Sequence, residues 1–527
     1  MLTIAARKSH LARLQALTVG NALQEKHPNL QIKYHFRESL GDKNQTDPLW
    51  KMPEKGVFTE DFIEGLKTGE FDLVVHSWKD LPMDERPGLE ICATLPRADA
   101  RDLLLIKKSF FDKRVNSQLR IFSSSPRRTL NIGRFIKKVW PYPLDEVQFL
   151  PVRGNMTTRL RKMHETKDVD GLVVAKAAFD RMMKASEFLF NSENKFQIQE
   201  QNLEWINLKE EILPQVQSCR WMILPLSENP TAAAQGALAI EVRSDRDELK
   251  KLLAPIHCLT TFENVMWERE ILKSYGGGCH QAIGVSVVTS ESIAMIRGLT
   301  TQGEELAERR YKIKKNFQMN SQLKINKNKV ALYFIPNTDN FFERVEIAQD
   351  IQHRQINYGN VNSAEALFIS RANAVSKNFK LNSKQILWTA GVKTWIKLAQ
   401  QGYWINGCSD SLGFEEPELS AVGIFKPLNW VRLTHDQVAD QTQNIYATYH
   451  LVPRERATID WQDAQFYYWK SGVLFEKALE YFPNLLEKKH ACGFGDTAKV
   501  LKKYFTPNKN LFYFFDEEDF LNFIKEL

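Results

Sequence analysis

Short apolar segments alternate with helical stretches through the first 175 residues, and this alternation constrains the fold more than any other feature of the sequence. Leu2–Ala6, Leu30–Phe36 and Phe71–His76 have the composition of strands, whereas His10–Lys26 has the periodicity of a helix. Further short strands are predicted at Ile121–Ser123, Gln148–Val152 and Gly171–Val174. Strands that alternate with helices favour parallel sheets covered on both faces. The sequence therefore predicts an α/β fold.

Polar motifs follow three of these predicted strands. HSWKD (76–80) comes at the end of Phe71–His76, SSSPRR (123–128) at the end of Ile121–Ser123, and RGN (153–155) after Gln148–Val152. In such sheets, ligands bind beyond the carboxyl ends of the strands. The motifs therefore predict one ligand cleft rather than scattered surface charge.

The positive charge of the chain is concentrated in its first part. Residues 1–328 carry 49 Lys and Arg against 41 Asp and Glu, whereas residues 329–527 carry 22 against 23. An excess of this sign indicates an anionic ligand, such as nucleic acid, phosphate or a polycarboxylate, with solubility as the alternative explanation.

Length and composition exclude several classes of protein. A chain of 527 residues suggests about three or four domains. The 43% hydrophobic and 26% charged residues are ordinary for a globular protein, and no apolar run is long enough for a membrane span. Without a signal-peptide pattern or a CxxC pair among the six cysteines, we expect a cytoplasmic protein with reduced thiols.

Several common catalytic motifs are missing from the sequence. It contains no GxxxxGK[ST], no GxGxxG after a strand and no HExxH, which argues against nucleotide hydrolysis, dinucleotide redox chemistry and zinc proteolysis. Basic residues are not interleaved with aromatic ones, so a nucleic-acid channel is weakly supported.

Arginines recur in the turn motifs. They are Arg7, Arg127, Arg128, Arg153 and Arg159. A guanidinium binds a carboxylate through two parallel N–H donors, so several in one cleft suit a ligand with many carboxylates. Ser9 and Ser123–Ser125 add donors at predicted helix starts. The alternative is that each arginine pairs with a surface Asp or Glu.

Two further positions carry possible chemistry. Asp80, beside Lys79, is placed to stabilise a cation and transfer protons, with a helix N-cap or an ion pair as alternatives. Cys279 lies in a glycine-rich loop, GGGCH (276–280), that would let a large group approach the sulfur. One alternative is an inert buried cysteine, and another is a zinc site formed with His257, Cys258 and His280. The possible ligands are adjacent pairs in the sequence, a spacing that suits zinc chelation poorly, so no metal is predicted.

Two stretches interrupt the pattern. Residues from Arg181 to about 232 are rich in Glu, Gln and Asn, show little strand signal and suggest an insertion, and residues 318–329 suggest a linker. Beyond the linker a weak repeat relates residues 367–398 to 466–501, which predicts two similar α/β halves.

Eight segments together resemble the porphobilinogen deaminase, or hydroxymethylbilane synthase, family over about residues 1–320. They are AARKSHLA (5–12), LGD (40–42), KGVF (55–58), VVHSWKDLP (74–82), SSSPRRTL (123–130), VRGNMTTRL (152–160), AAAQGALAIEVR (232–243) and GGGCHQAIG (276–284). The sequence departs from the family at His10, where proline is usual, at Trp78, and in the extra residues between about 182 and 232, which would cover or reshape one side of the cleft.

The resemblance implies two periplasmic-binding-protein-like domains and a small α/β domain that carries Cys279. Domain 1 would span residues 1–103 with about 236–255, domain 2 residues 104–235 with the insertion, and domain 3 residues 256–320. It also implies a dipyrromethane cofactor covalently attached to Cys279, and porphobilinogen as the small-molecule substrate. Four porphobilinogens would be deaminated and joined to the cofactor, and hydroxymethylbilane released. No nucleic acid or membrane partner is expected, and a monomer would suffice.

The same resemblance assigns roles to individual residues. Asp80, with Lys79, would stabilise the cationic azafulvene left by ammonia loss and serve in proton transfer, and Phe58 would stack over a pyrrole ring. The acetate and propionate groups would be held by Arg7, Ser9, Lys79, Ser124, Arg127, Arg128, Arg153, Arg159 and Arg181.

Residues 329–527 resemble the uroporphyrinogen-III synthase family, with a two-lobed α/β fold. The resemblance rests on FISRANAV (368–375), the Gly/Thr turns at 391–394 and 493–497, and a tyrosine near 446–449; Trp469-Lys470 departs from it. A bifunctional fusion is therefore one hypothesis, and an inactive structural or docking domain is the alternative. For the whole chain, a non-enzymatic anion-binding protein and a nucleic-acid binder remain the competing hypotheses.

Overall fold

The computed structural model forms two compact units. It describes residues 1–38, 60–112, 118–185, 195–277, 281–288, 293–311, 331–337, 341–346, 361, 363–375, 381–382, 384–436, 444–453, 464–505 and 510–526. The N-terminal unit contains residues 1–312 and 417–426, and the C-terminal unit contains 313–416 and 427–527. Residues 417–426 belong to the N-terminal unit, although the chain on either side of them belongs to the C-terminal unit.

The N-terminal unit contains three sheets. Its strands are β1 Leu2–Arg7, β2 Ile32–Arg37, β3 Leu73–Ser77, β4 Leu89–Ala93, β5 Asp102–Lys107, β6 Gln118–Phe122, β7 Glu146–Leu150, β8 Gly171–Ala175, β9 Cys219–Ile223, β10 Leu238–Arg243, β11 Gly284–Val288, β12 Ile293–Leu299 and β13 Glu305–Tyr311. Its helices are α1 His10–Lys26, α2 Glu60–Thr68, α3 Lys108–Asp112, α4 Pro126–Val139, α5 Met156–Glu165, α6 Lys176–Met183, α7 Lys195–Gln217, α8 Asp247–Leu253 and α9 Leu259–Ser274.

Two five-stranded sheets form the first two domains. Domain 1 has the strand order β2-β1-β3-β10-β4, and domain 2 has the order β7-β6-β8-β5-β9. The chain crosses between them twice, through residues 94–101 and 224–237, which we call the crossing segments. This is the architecture of periplasmic binding proteins, which confirms the predicted fold class.

The sheets are mixed rather than entirely parallel, which corrects the expectation of parallel sheets. Strand β10 runs antiparallel to β3 and β4, and β5 runs antiparallel to β8 and β9. Both reversed strands adjoin a crossing segment, because a strand that enters from the neighbouring domain runs against the strands built locally.

Part of the predicted insertion belongs to the domain 2 sheet. Residues 195–217 form the helix α7, but Cys219–Ile223 forms the edge strand β9 and pairs with β5 along its length. The prediction of little strand structure is therefore wrong for 219–223. Five residues are too few to show an alternating pattern by themselves.

Domain 3 is a three-stranded antiparallel sheet, β11-β12-β13, covered by α9. Its core packs Val285, Val287 and Ile296 of the sheet against Ile271 of α9. Arg97 of the first crossing segment forms a two-pronged ion pair with the buried Glu268 of α9, at 2.6 and 3.0 Å. This pair fixes the small domain on the segment that joins the other two.

The C-terminal unit contains two sheets. Its strands are β14 Ala331–Phe334, β15 Phe342–Glu346, β16 Ala366–Ile369, β17 Ile386–Thr389, β18 Gly407–Cys408, β19 Trp430–His435, β20 Ile445–Pro453, β21 Ala464–Trp469, β22 Lys489–Cys492 and β23 Leu511–Tyr513. Its helices are α10 Val392–Ala399, α11 Gly472–Tyr481, α12 Asp496–Leu501 and α13 Glu517–Glu526. One sheet has the parallel order β14-β21-β22-β23, and the other has the order β15-β20-β19-β16-β17-β18. The two-lobed α/β prediction is confirmed.

Among the described residues, no helix combines the length and the apolar character needed to cross a membrane.

Candidate active site

The first part of the site lies at the carboxyl ends of β1 and β3. These strands are parallel neighbours, so Arg7 and Ser77 come to the same edge of the domain 1 sheet. Ser9 caps α1, its hydroxyl accepting from the Ala12 amide at 3.4 Å, and Gln15 donates to Ser77 at 2.8 Å. A cavity at this edge is lined by Arg7, Ser9, Leu11, Ala12, Gln15, Val75, His76, Ser77, Asp80 and Leu81.

A single 3-10 turn, Trp78–Asp80, presents the Lys79-Asp80 pair beside this cavity. Trp78 is 2% exposed and packs against Phe262 at 5.4 Å, which anchors the turn and accounts for the departure from the family at this position. Asp80 ends the turn and so caps no helix, and its carboxylate makes no hydrogen bond or ion pair with any described residue. Neither alternative for Asp80, the N-cap or the ion pair, is observed.

Lys79 lies among charges of both signs. Its ammonium donates to Gln235 at 3.5 Å. Desolvation lowers the pKa of Lys79, the adjacent Asp80 opposes this shift, and Arg128 and Arg127 add to it. The domain 1 pair therefore lies within electrostatic reach of the domain 2 arginines.

Arg127 and Arg128 lie in the first turn of α4, after the N-cap Ser125, and both bind the same carboxylate. Arg127 Nη2 donates to Asp102 Oδ2 at 3.0 Å, and Arg128 donates to both Asp102 oxygens at 2.6 and 3.1 Å. Burial alone would raise the pKa of Asp102, but the two guanidinium groups hold it well below its usual range. The pairing alternative therefore applies here, with a buried partner rather than a surface one.

Asp102 was not singled out from the sequence. It also accepts from Asn229 and from Gln235, the partner of Lys79, at 3.0 and 2.9 Å. Its only signal is a charged residue opening the apolar run LLLI (103–106), a run that by itself predicts a strand. Asp102 orders the arginine cluster without reaching the cleft as a ligand.

The third motif follows β7 and brings two more arginines. Asn155 caps α5 by accepting from the Thr158 amide at 2.9 Å, and Arg159 Nε donates to the Gly154 carbonyl at 2.8 Å. Gly154 has a φ of 112°, a conformation that favours glycine. The Ser124 hydroxyl bridges the Val152 amide and carbonyl at 2.8 Å each, so it fixes this loop.

Arg128 and Arg153 lie within electrostatic reach of Arg159, and neither Arg153 nor Arg159 has an ion-pair partner among the described residues. Desolvation lowers the pKa of Arg159, and Arg128 and Arg153 lower it further, whereas Asp80 raises it. The Nη2 atom of Arg153 is buried and has no hydrogen-bond partner in the described part of the chain. A buried donor without a partner destabilises a protein by about 1–3 kcal/mol, so this arrangement suits an anionic ligand.

Arg181 lies on α6, beyond the arginine cluster. Its Nη2 donates to the Gly236 carbonyl at 2.7 Å, and burial lowers its pKa to about 10. It therefore lies beside the second crossing segment.

Comparison with known proteins agrees with this geometry. Residues 2–251 match the family model described as "Porphobilinogen deaminase, dipyromethane cofactor binding domain". The porphobilinogen deaminase of Syntrophomonas wolfei is 33% identical over 298 residues, which cover 56% of this chain and 84% of that protein. The porphobilinogen deaminase of Nostoc sp. is 30% identical over 312 residues, which cover 58% of this chain and 84% of that protein.

The chain belongs to the porphobilinogen deaminase family. Its N-terminal unit is therefore a porphobilinogen deaminase, a transferase of porphyrin biosynthesis whose cofactor is dipyrromethane. The partnerless Arg153 donor and the mutually repelling arginines fit the acidic side chains of such a cofactor.

Two predicted site residues, Cys279 and Phe58, lie outside the described residues. The chain is described up to Gly277 and again from Gln281, whose amide donates to the Tyr275 carbonyl at 2.8 Å. Gly277 lies near Met83, three residues after Asp80, since a Cβ added there would be 3.8 Å from Met83 Cγ. The five described cysteines form no disulfide, and no metal-binding cluster occurs among described residues.

The helix α7 contacts domain 1 of the deaminase as well as domain 2. Glu204 accepts from both His10 and Arg13 of α1 at 2.9 Å, and Arg13 lies 5.2 Å from the ring of the buried Trp205. Helix α7 also packs on α5 and α6. The unusual His10 therefore binds the added helix, which lies close to Ser9 on one side of the site.

Proposed function

We propose that the N-terminal unit is an active hydroxymethylbilane synthase with Asp80 as its central catalytic group. It would deaminate four porphobilinogens in turn, join each pyrrole to a dipyrromethane held on Cys279, and release hydroxymethylbilane. The observation that carries this proposal is the Asp80 carboxylate without a described hydrogen-bond partner, within electrostatic reach of Lys79 and Arg159. The five described cysteines form no disulfide, which is compatible with action in the cytoplasm.

Asp80 can serve both halves of each condensation. A fixed carboxylate stabilises the cation that remains when ammonia leaves porphobilinogen. The same oxygen can then accept the proton released once the new carbon–carbon bond has formed. Lys79, beside it, supplies a positive charge for a substrate carboxylate.

The arginine cluster would bind the acidic side chains. Each pyrrole carries an acetate and a propionate, so a growing chain needs several permanent cations. Arg128, Arg153 and Arg159 supply guanidinium groups at adjoining strand ends. Arg127 would support them from behind, because its Nη1 and Nη2 atoms already donate to Pro230, Asn229 and Asp102.

The cofactor contributes the pyrrole carbon to which the first substrate is joined. Cys279 would hold it through a thioether, with Arg7, Ser9 and Arg181 among the residues that would orient it. Phe58 would pack against a ring. These roles follow the positions of the family motifs in this sequence.

An intact-mass measurement tests the proposal. The full chain should carry a mass increment of two linked pyrrole units, and Cys279→Ser should lose both the increment and all turnover. Cys258→Ser is the matched control and should keep both. A bare Cys279 in active protein, or an increment that persists in Cys279→Ser, would refute the thioether.

We further propose that the C-terminal unit is a uroporphyrinogen-III synthase that closes the linear product. Polar and charged residues converge in this unit: Arg432, within β19, donates to Ser370 after β16 at 3.2 Å and forms an ion pair with Asp496 of α12. These residues come from both sheets of the unit, so they border the space between its lobes. One chain would then raise the effective concentration of the intermediate at the second site.

A docking domain without activity is the second candidate. Arg432 is already neutralised by Asp496, and Lys470 forms an ion pair with Glu517 at 2.6 Å. Trp469 is fully buried and donates to His490 at 2.9 Å. These contacts leave fewer cations for a polycarboxylate.

The product made from porphobilinogen separates the two candidates. Uroporphyrinogen III would support the synthase, and Arg432→Gln should then reduce it while leaving deamination unchanged. Only hydroxymethylbilane or its spontaneously closed type I ring would support the docking domain.

A further inference from the structure

A short segment from the second half of the chain completes the deaminase unit. Residues 417–426, which we call the strap, lie in the N-terminal unit although the chain on either side belongs to the C-terminal unit. Its 3-10 turn, Ser420–Val422, packs on α6 and α7. Ser420 and Ala421 are fully buried there.

The strap is held mainly by one carboxylate. Asp180 Oδ1 accepts from the Ser420 hydroxyl and from the Ala421 amide, each at 3.0 Å. At the two ends of the strap, Glu418 pairs with Lys184, and the Lys209 ammonium lies 3.9 Å from the centroid of the Phe425 ring. The contact is thus directional at its centre and not merely apolar.

Asp180 connects the strap to the first crossing segment. Its Oδ2 accepts from the fully buried Lys176 at 2.7 Å, and the same ammonium lies 3.3 Å from Asp99. Asp99 binds Arg101, whose carbonyl accepts from the Lys176 amide at 3.0 Å. Burial raises the pKa of Asp180, so its ionised form depends on Lys176 and the strap donors.

The next residue, Arg181, reaches the second crossing segment. Its Nη2 donates to the Gly236 carbonyl oxygen. The Ala98 amide donates to the same oxygen at 3.3 Å. A Cβ added at Gly236 would lie 2.5 Å from the Ala98 carbonyl, so the two crossing segments touch here. The end of α6 therefore contacts both connections between domains 1 and 2.

We propose that Ser420 is a positioning residue for the deaminase reaction, which through Asp180 fixes α6 and holds Arg181 against the crossing segments. The inference rests on the cofactor-side role proposed above for Arg181. It gives the C-terminal part of the chain a direct influence on the deaminase site.

The test compares Ser420→Ala with Ser218→Ala in the full chain. Ser218 is the matched control because it lies outside the strap and its exposed hydroxyl donates to the nearby Gln215 carbonyl, at 2.8 Å. At saturating porphobilinogen, we expect Ser420→Ala to lower kcat about fivefold, the effect of one lost hydrogen bond. With limiting porphobilinogen, it should alter the distribution of elongated covalent species in the intact-mass spectrum. Ser218→Ala should match the unmodified chain in both measurements.

The route through Asp180 is tested by a double-mutant cycle. Asp180→Asn should lower kcat, and adding Ser420→Ala to it should cause little further loss. Losses that multiply would overturn the proposal. So would a Ser420→Ala chain that melts at a lower temperature yet turns over and elongates like Ser218→Ala.

Hydrogen exchange of the resting protein keeps this test separate from the proposed function. Ser420→Ala should speed exchange of the Ala98 and Lys176 amides about fivefold, whether or not the protein turns over, since the lost bond has the same cost. Unchanged exchange at both amides would overturn the proposal. An unmodified chain that gains no mass from porphobilinogen would instead contradict the proposed function.

Discussion

Both units carry charged residues on or directly after their strands, but they pair these charges differently. In the N-terminal unit Arg153 keeps a buried donor without a described partner, and the Asp80 carboxylate has no described hydrogen bond. In the C-terminal unit Arg432 is bound to Ser370 and Asp496. Charges left unpaired reduce stability and are retained where a ligand uses them. The comparison therefore favours catalysis more strongly in the first unit than in the second.

The largest expected effect is on Asp80, whose unpaired carboxylate defines the first unit. Asp80→Asn keeps the shape and removes the charge, so kcat should fall about 10²–10³-fold. The melting temperature should stay within about 1 °C, because the carboxylate makes no hydrogen bond to any residue that the structure describes. Steady-state kinetics and calorimetry measure both.

Asp84→Asn is the control for this change, since it removes an exposed carboxylate four residues later. Near-normal turnover of Asp80→Asn would remove Asp80 from the mechanism and weaken the contrast between the units.

Arg153 should show opposite effects on function and stability. Arg153→Gln removes a cation that faces Arg128 and Arg159, so KM should rise about tenfold to a hundredfold as a charged hydrogen bond to substrate is lost. The melting temperature should rise by about 1–3 °C, because repulsion among the arginines is relieved.

The matched control for that experiment is Arg120→Gln, which breaks an exposed ion pair with Asp168. A lower melting temperature and an unchanged KM for Arg153→Gln would assign Arg153 a structural role. The arginines of the two units would then be alike in serving the fold rather than a ligand.

The sequence predicted the elements more fully than the connections between them. His10–Lys26 is a helix with the predicted bounds. It could be predicted because seventeen residues span several helical turns, over which the periodic pattern of apolar residues becomes visible. The direction of β10 was not predictable, since an apolar run has the same pattern whichever way the strand points. The strand-end motifs lie at sheet edges as expected, because parallel neighbours end at one edge. The site roles of Lys79, Asp80 and the arginines stay predictions.

Contacts between distant parts of the chain were beyond prediction. Asp102 orders Arg127 and Arg128, yet in the sequence it only begins an apolar strand. Ser420 meets Asp180 across 240 residues, and the strap shows no periodicity that would indicate a partner. Such pairings depend on tertiary packing, which a local pattern does not encode.

The smallest expected effect is a pH dependence of the stability of the C-terminal unit. His490 is buried; its Nδ1 accepts from Trp469 at 2.9 Å, and its Nε2 bonds the Leu485 carbonyl at 2.7 Å. A second proton on the ring would bind Nδ1 and would have to displace the Trp469 N–H from that atom. Burial also disfavours the charged ring and lowers the pKa of His490 to about 4. Burial likewise lowers the pKa of His435 to about 4.

In the unfolded chain a histidine has a pKa of about 6.5, so between that pH and about 4 only the unfolded state gains the proton. Stability is therefore complete above pH 6.5 and falls as the pH is lowered. From pH 7 to 5, His490 should cost the C-terminal unit about 2 kcal/mol. Calorimetry at the two pH values should show its transition moving down, and His490→Gln should lose about half of that shift, leaving the part due to His435. An equal shift in His490→Gln would show that other groups govern the pH dependence of this unit. In the N-terminal unit, Asp102 stays ionised between pH 7 and 5 because its pKa is depressed, so it adds nothing to the effect.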